Sequence, residues 1–175
     1  MAEGKESAAR VEWRLESDAA TRALGAALAA HLAPGAVVAL YGRVGAGKTT
    51  FVAGLARGLG AEAVQSPTFA LAGEYGGGRL PLYHLDLYRL GERASQELDM
   101  LDEYLYGDGA CALEWADYLG PALPAERLDV MLRNAGGNGE ARAAAVSAHG
   151  RGAAAVLEEW MRACPFWRWI PPRPN

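Results

Sequence analysis

The chain has 175 residues, 51% of them hydrophobic and 22% charged, with a formal net charge of −4; this is the length of one domain with its own core and the balance of a soluble globular protein. An acidic surface does not advertise nucleic-acid binding, and the most apolar stretch, residues 23–42, is too broken by His31 and Pro34 to span a membrane. The polar start "MAEGKESAAR" lacks the apolar segment of a secretory signal, and Cys111 and Cys164 form neither a CxxC pair nor a metal spacing, so a cytoplasmic location is expected.

In chain order, "RVEWRLES" (10–17) alternates apolar and polar residues and predicts an edge strand. Ser17 or Asp18 is placed to cap a helix, "AATRALGAALAAHL", that Pro34-Gly35 would end. "AVVALY" (36–41) is the continuous apolar run of a strand buried on both faces. After a glycine-rich loop, "TTFVAGLARGLG" predicts a helix closed by Gly58 and Gly60. "SPTFALAGEY" (66–75), "GGG" (76–78) and "RLPLYHLDLY" (79–88) read as a β-hairpin with a glycine tip. "SQELDMLDEYLY" (95–106) sets Leu98, Leu101, Tyr104 and Leu105 on one helical face, and "ACALEW" (110–115) is a short buried strand. "RLDVMLRN" and "ARAAAVSAH" are late strands about the turn "AGGNGE", and "AAAVLEEWMRA" is a terminal helix. Strands alternating with helices define an α/β fold: a mostly parallel sheet flanked by helices, with an antiparallel hairpin extension. The expected organisation is one domain over 1–163 and an aromatic, proline-rich tail over 164–175.

The loop carries the chemistry. Gly42-Arg43-Val44-Gly45-Ala46-Gly47-Lys48-Thr49 matches G-x-x-x-x-G-K-[ST] at every fixed position, between a buried strand and a helix. Glycines let main-chain N–H groups turn inward around a phosphate chain, and the helix that follows adds the positive end of its dipole. Lys48 is one of only two lysines against fifteen arginines; a compact ammonium reaches β- and γ-phosphates in a way a rigid guanidinium does not. Thr49 offers a hydroxyl to magnesium. The motif specifies a nucleoside triphosphate without naming the base.

Such a site also needs an acid at a strand end. Asp86 ends "LPLYHLD" and Glu114 ends "ACALE"; either serves as the metal acid, with the other orienting water or supporting a ligand, and each also suits a plain strand-end turn. His84 stands two residues before Asp86 on the same strand face, a position that suits packed or hydrogen-bonded structure more often than a role as proton donor or ligand. Thr68 in "QSPTF" is a candidate for a switch loop that feels the γ-phosphate, although Ser66 and Thr68 also suit a simple turn. The guanine-reading motif [NT]-K-x-D has no lysine left to fill it, so ATP is the expected nucleotide.

"LYGRVGAGKTTF", "SPTFAL", "LYHLDLYRL" and "LEWAD", in this order and spacing, resemble the TsaE family, the bacterial ATPase subunit of tRNA threonylcarbamoyladenosine biosynthesis, over about residues 11–148. The resemblance implies a P-loop NTPase fold. It implies ATP phosphates on Gly45, Ala46, Gly47, Lys48, Thr49 and Thr50, and magnesium on Thr49 and Glu114. Asp86, Thr68 and Lys48 would support hydrolysis, and Trp115 would lie beside the nucleotide or a partner. It further implies two partners, a threonylcarbamoyl transferase and its dimeric scaffold protein, with tRNA reached only through that complex and no membrane. ATP hydrolysis would be weak alone and stimulated by the partners. Two features depart from the family: Arg43, where an acidic residue is common, and the stretch from Gly150 onward, with Trp160, Trp167 and Trp169 among arginines. That tail suits covering exposed core, docking a partner or contacting RNA. From the residues alone, a nucleotide-regulated binding module with incidental hydrolysis and a small-molecule kinase stand as alternative functions.

Overall fold

The computed structural model describes residues 10–65, 72–136 and 141–164. Its strands are β1 (Arg10–Leu15), β2 (Val37–Tyr41), β3 (Glu62–Gln65), β4 (Ala72–Gly76), β5 (Leu82–Asp86), β6 (Ala110–Glu114), β7 (Arg127–Asn134) and β8 (Arg142–His149). Its α-helices are α1 (Asp18–Ala29), α2 (Lys48–Leu59), α3 (Leu98–Leu105) and α4 (Arg151–Ala163). The strands form one sheet of eight in the order β1-β8-β7-β2-β6-β5-β4-β3. At its centre β7, β2, β6 and β5 run parallel. The antiparallel hairpin expected from the 66–88 segment is there as β4-β5, with β3 added beyond it, and a second antiparallel extension, β7-β8-β1, completes the other end.

The apolar runs explain the middle of the sheet. Every residue of β6 is buried, and so are four of the five in β2, because helices and turns cover both faces. On one face Leu24, Leu28, Phe51 and Leu55 of α1 and α2 pack with Leu157 and Trp160 of α4. On the other, Leu101 and Leu105 of α3 join Leu85, Leu87 and Leu113. Trp160 is wholly buried, with its ring 4.7 Å from that of Trp13 and 6.5 Å from that of Phe51. Of the tryptophans near the C-terminus, this one covers core; Trp167, Trp169 and the rest of 165–175 lie outside the described residues.

Several boundaries differ from the sequence expectation. Helix α1 is capped by Ser17, whose Oγ accepts from the Ala20 amide at 3.1 Å, and it stops at Ala29, well before Pro34. Arg79, arriving from the β4–β5 connection, donates to the carbonyls of Ala29 and Leu32 at 2.6 and 2.8 Å and so ends the helix from a distance. In α2 the left-handed cap is Gly60 alone (φ 70°). Gly58 lies inside the helix: a Cβ there would meet the Ala26 carbonyl oxygen at 2.4 Å, and one on Gly54 would meet that of Arg22 at 2.2 Å. These two glycines, one helical turn apart, set how closely α2 approaches α1. Strand β3 was not expected, and α3 starts at Leu98 because residues 91–96 form 3₁₀ turns. Among the described residues no helix is long and apolar enough to cross a membrane.

Candidate nucleotide site

The C-terminal ends of the parallel strands bring the site together. The chain leaves β2 at Tyr41, crosses the loop and enters α2 at Lys48. Gly42, Gly45 and Gly47 all take positive φ (135°, 76° and 101°), which side chains resist. Nothing lies within 4 Å of where a Cβ on Gly45 would point, so its glycine answers to backbone conformation. Gly42 answers also to crowding, since a Cβ there would meet the Leu132 carbonyl oxygen at 2.3 Å.

Lys48 turns back over its own loop. Its Nζ donates to the carbonyls of Gly42 at 2.8 Å and Arg43 at 3.2 Å, and it sits 3.9 Å from the centre of the Trp115 ring. Burial pulls its pKa below the usual lysine value, against the opposing charges of Glu114, Asp86 and Asp117. Trp115 is the one non-glycine among the described residues with positive φ (60°), a left-handed conformation that a bulky residue adopts at a cost of about 1–3 kcal/mol. That backbone carries the indole onto Lys48 and against Tyr88, whose ring lies 4.9 Å away.

Asp86 and Glu114 are register partners on adjacent parallel strands, but their surroundings separate them. Glu114 is buried, and its Oε1 accepts from Thr49 Oγ1 at 2.8 Å and lies 2.9 Å from His84 Nε2. Burial alone would raise its pKa; the hydrogen bonds with His84 and Thr49 and the charge of Lys48 outweigh burial and hold the carboxyl below its ordinary value. Asp86 is half-buried, and its Oδ1 accepts from the Tyr88 amide at 3.1 Å, closing the 3₁₀ turn that follows β5.

These groups line a cleft of about 490 Å³, within the usual size of a small-ligand site. Of the residues expected at the site, Gly45, Ala46, Gly47, Lys48, Thr49, Thr50, Asp86 and Glu114 all line it, while Thr68 lies outside the described residues. The sequence reading missed three lining side chains. In sequence Asp18 reads only as a possible cap, Arg142 only as a strand residue, and Tyr88 only as part of a motif. Arg142 reaches the loop across the sheet edge, with its Nε 3.7 Å from where a Cβ on Gly47 would be, and pairs with Asp18 at 3.8 Å. Only folding brings residues so far apart in sequence to one wall.

The donor set suits magnesium. Thr49 and Glu114 supply hard oxygens side by side, and among the described residues no cluster of three His, Cys, Asp or Glu side chains offers an all-protein cage. One carboxylate and one hydroxyl, with phosphate oxygens making up the shell, is how magnesium is ordinarily held in such sites.

Strand, glycine loop, helix and open sheet with the cleft at the strand ends together define a P-loop α/β fold. The family model for "Threonylcarbamoyl adenosine biosynthesis protein TsaE" matches residues 15–143. A Bacillus subtilis (strain 168) tRNA threonylcarbamoyladenosine biosynthesis protein TsaE is 46% identical over 128 residues, 73% of this chain and 80% of that protein. The protein of the same name from Nostoc sp. is 44% identical over 116 residues, 62% of this chain and 69% of its own length. The crystal structure of Bacillus subtilis YdiB superposes with a TM-score of 0.76 at 37% identity, covering 90% of this chain and 98% of that one. The chain belongs to the TsaE family.

Proposed function

We propose that this chain takes part in tRNA threonylcarbamoyladenosine biosynthesis as its magnesium-dependent ATP-binding and ATP-hydrolysing subunit, working with a threonylcarbamoyl transferase and that enzyme's dimeric scaffold. The relatives' names supply the pathway. The observation that carries the ATPase reading is the pairing of two preformed contacts on the first turn of α2: Lys48 folded over the glycine loop, and Thr49 bonded to the buried, ionised Glu114.

On this reading the amides of residues 45–50 and the Lys48 ammonium receive the phosphates, and Lys48 exchanges the carbonyls of Gly42 and Arg43 for phosphate oxygens. Thr49 and Glu114 hold magnesium, which supplies charge neutralisation for the β- and γ-phosphates when bound. Trp115 and Tyr88, with rings 4.9 Å apart, line the cleft together with Asp86. Asp86 orients the attacking water, and Thr68 belongs to the segment that senses the γ-phosphate. Contact with tRNA runs through the partners. A cytoplasmic setting belongs to the reading as well, since both cysteines are buried free thiols, and burial pushes Cys111 up to about 12.

A second reading, a nucleotide-regulated binding module, draws on Asp86, which is already engaged as a turn cap. One experiment separates the two. ATP turnover is measured on the chain alone and with transferase and scaffold added, beside tRNA modification, for wild type and Asp86→Ala. Slow turnover that rises with both partners, and modification lost with turnover in the variant, supports the ATPase reading. Partner-independent rates, or full modification without turnover, would reject it.

A further inference from the structure

The sequence places His84 as packed or hydrogen-bonded structure; its contacts give it a more specific place. The side chain is buried, with 5% exposed, and projects from β5 on the face that meets α2. Its neighbours across the sheet are Gly73 on β4 and Ala112 on β6. These small residues leave room for the imidazole to lie along the sheet toward the strand end. There its Nε2 meets Glu114 Oε1 at 2.9 Å, the same oxygen that accepts from Thr49. The other ring nitrogen, Nδ1, is buried with no hydrogen-bond partner. An ionised carboxylate can only accept, so Nε2 is the ring nitrogen that donates to it.

We propose that His84 is a positioning residue for the metal acid. By fixing Oε1 of Glu114 from the sheet side, opposite the hydroxyl of Thr49, it stops the carboxylate from rotating and leaves the second oxygen to face the cleft as a cation ligand. This rests on the reading of Glu114 as a magnesium ligand. Two donors on one oxygen define the carboxylate plane; with Thr49 alone, Glu114 would swing about a single bond, and the metal would have to order it on arrival. Partners of this kind, one step behind a ligand, typically carry about tenfold to a hundredfold in metal affinity.

The test measures the metal. The full chain, saturated with a non-hydrolysable ATP analogue, is titrated with Mn²⁺, and free manganese is read by electron paramagnetic resonance for wild type, His84→Leu and His84→Gln. The expected result is a manganese affinity about ten to a hundred times weaker for His84→Leu, with its affinity for the metal-free nucleotide unchanged. His84→Gln should stay close to wild type, because its amide can donate from nearly the place of Nε2. Wild-type manganese affinity in His84→Leu, or a glutamine variant as impaired as the leucine one, would overturn the proposal while leaving the metal site standing. Failure of the wild-type chain to bind manganese with nucleotide would remove the metal site and this proposal with it. Should His84→Leu not fold, nitrogen-15 spectra of the wild-type histidines decide: a hydrogen-bonded proton on Nε2 of His84 is expected, and an Nε2 without a proton overturns the proposal.

Discussion

Replacing Lys48 with alanine separates a binding role from a structural one. In the structure the ammonium makes two hydrogen bonds to loop carbonyls and lies over Trp115. Removing it forfeits a cation–π contact of about 0.5–2 kcal/mol. It also leaves the carbonyls of Gly42 and Arg43 without that donor, but relieves the burial that already depresses the lysine's pKa. These effects oppose each other, so the change in stability should stay within about 1 kcal/mol, or roughly 2–4 °C in Tm for a chain of this size. Nucleotide binding has no such compensation. A hydrogen bond between charged partners contributes about 1.5–3 kcal/mol net, which at about 1.4 kcal/mol per factor of ten weakens affinity roughly 10- to 150-fold. Titration calorimetry with a magnesium-bound, non-hydrolysable ATP analogue gives the affinity, and thermal unfolding without nucleotide gives the stability. Lys48→Arg should be nearly as impaired, because a planar fork does not replace a point charge inside the loop. Wild-type affinity in Lys48→Ala would refute the reasoning, as would a large loss of Tm, which would make the lysine a structural strut.

Three further outcomes follow from other contacts. Gly54→Val drives a side chain into the Arg22 carbonyl, which a Cβ would approach to 2.2 Å; overpacking of this kind costs about 1–3 kcal/mol or more, and thermal unfolding should register a drop of several degrees. Glu114, held below its ordinary pKa, stabilises the fold above the carboxyl's unfolded value and loses that contribution as pH falls through the lower folded one. The gap in Tm between wild type and Glu114→Gln should therefore narrow on acidification from neutral pH, and a constant gap would count against the ionised carboxylate. Tyr41, hydrogen-bonded to Asp129 at 3.3 Å, is raised to about 12, chiefly by burial and then by that carboxylate. The unfolded phenol ionises first, so stability is full below about 10 and declines as pH rises toward 12. Tyr41→Phe should flatten that decline in alkaline melts.

The loop, its flanking strand and helix, and both strand-end acids were legible in the sequence because each is written in local terms: glycines where φ must be positive, unbroken apolar runs where a strand is covered on both faces. What was not legible depends on partners far along the chain. Strand β3, "EAVQ", has no strand pattern of its own and exists because β4 pairs with it. Gly58 looks like a helix stop in one dimension and is a packing glycine in three, because Ala26 of α1 lies against it. The end of α1 is set by Arg79, and the start of α4 by Glu126, whose carboxylate accepts from the amides of Arg151, Gly152 and Ala153. In the cleft the spacing nominated Asp86 and Glu114 equally. Only the geometry shows that one is bonded to Thr49 and His84 while the other caps a turn, and that Arg142 and Asp18 complete the opposite wall.

The central claim is that the glycine loop grips a triphosphate with magnesium held between Thr49 and Glu114. A crystal structure of the chain grown with magnesium and a non-hydrolysable ATP analogue tests it most directly. The account predicts phosphates over residues 45–50, a cation bound by Thr49 Oγ1 and the Glu114 carboxylate, and Lys48 moved from the carbonyls of Gly42 and Arg43 onto phosphate. A nucleotide seated elsewhere, or a Lys48 still bonded to its own loop beneath a bound triphosphate, would contradict it.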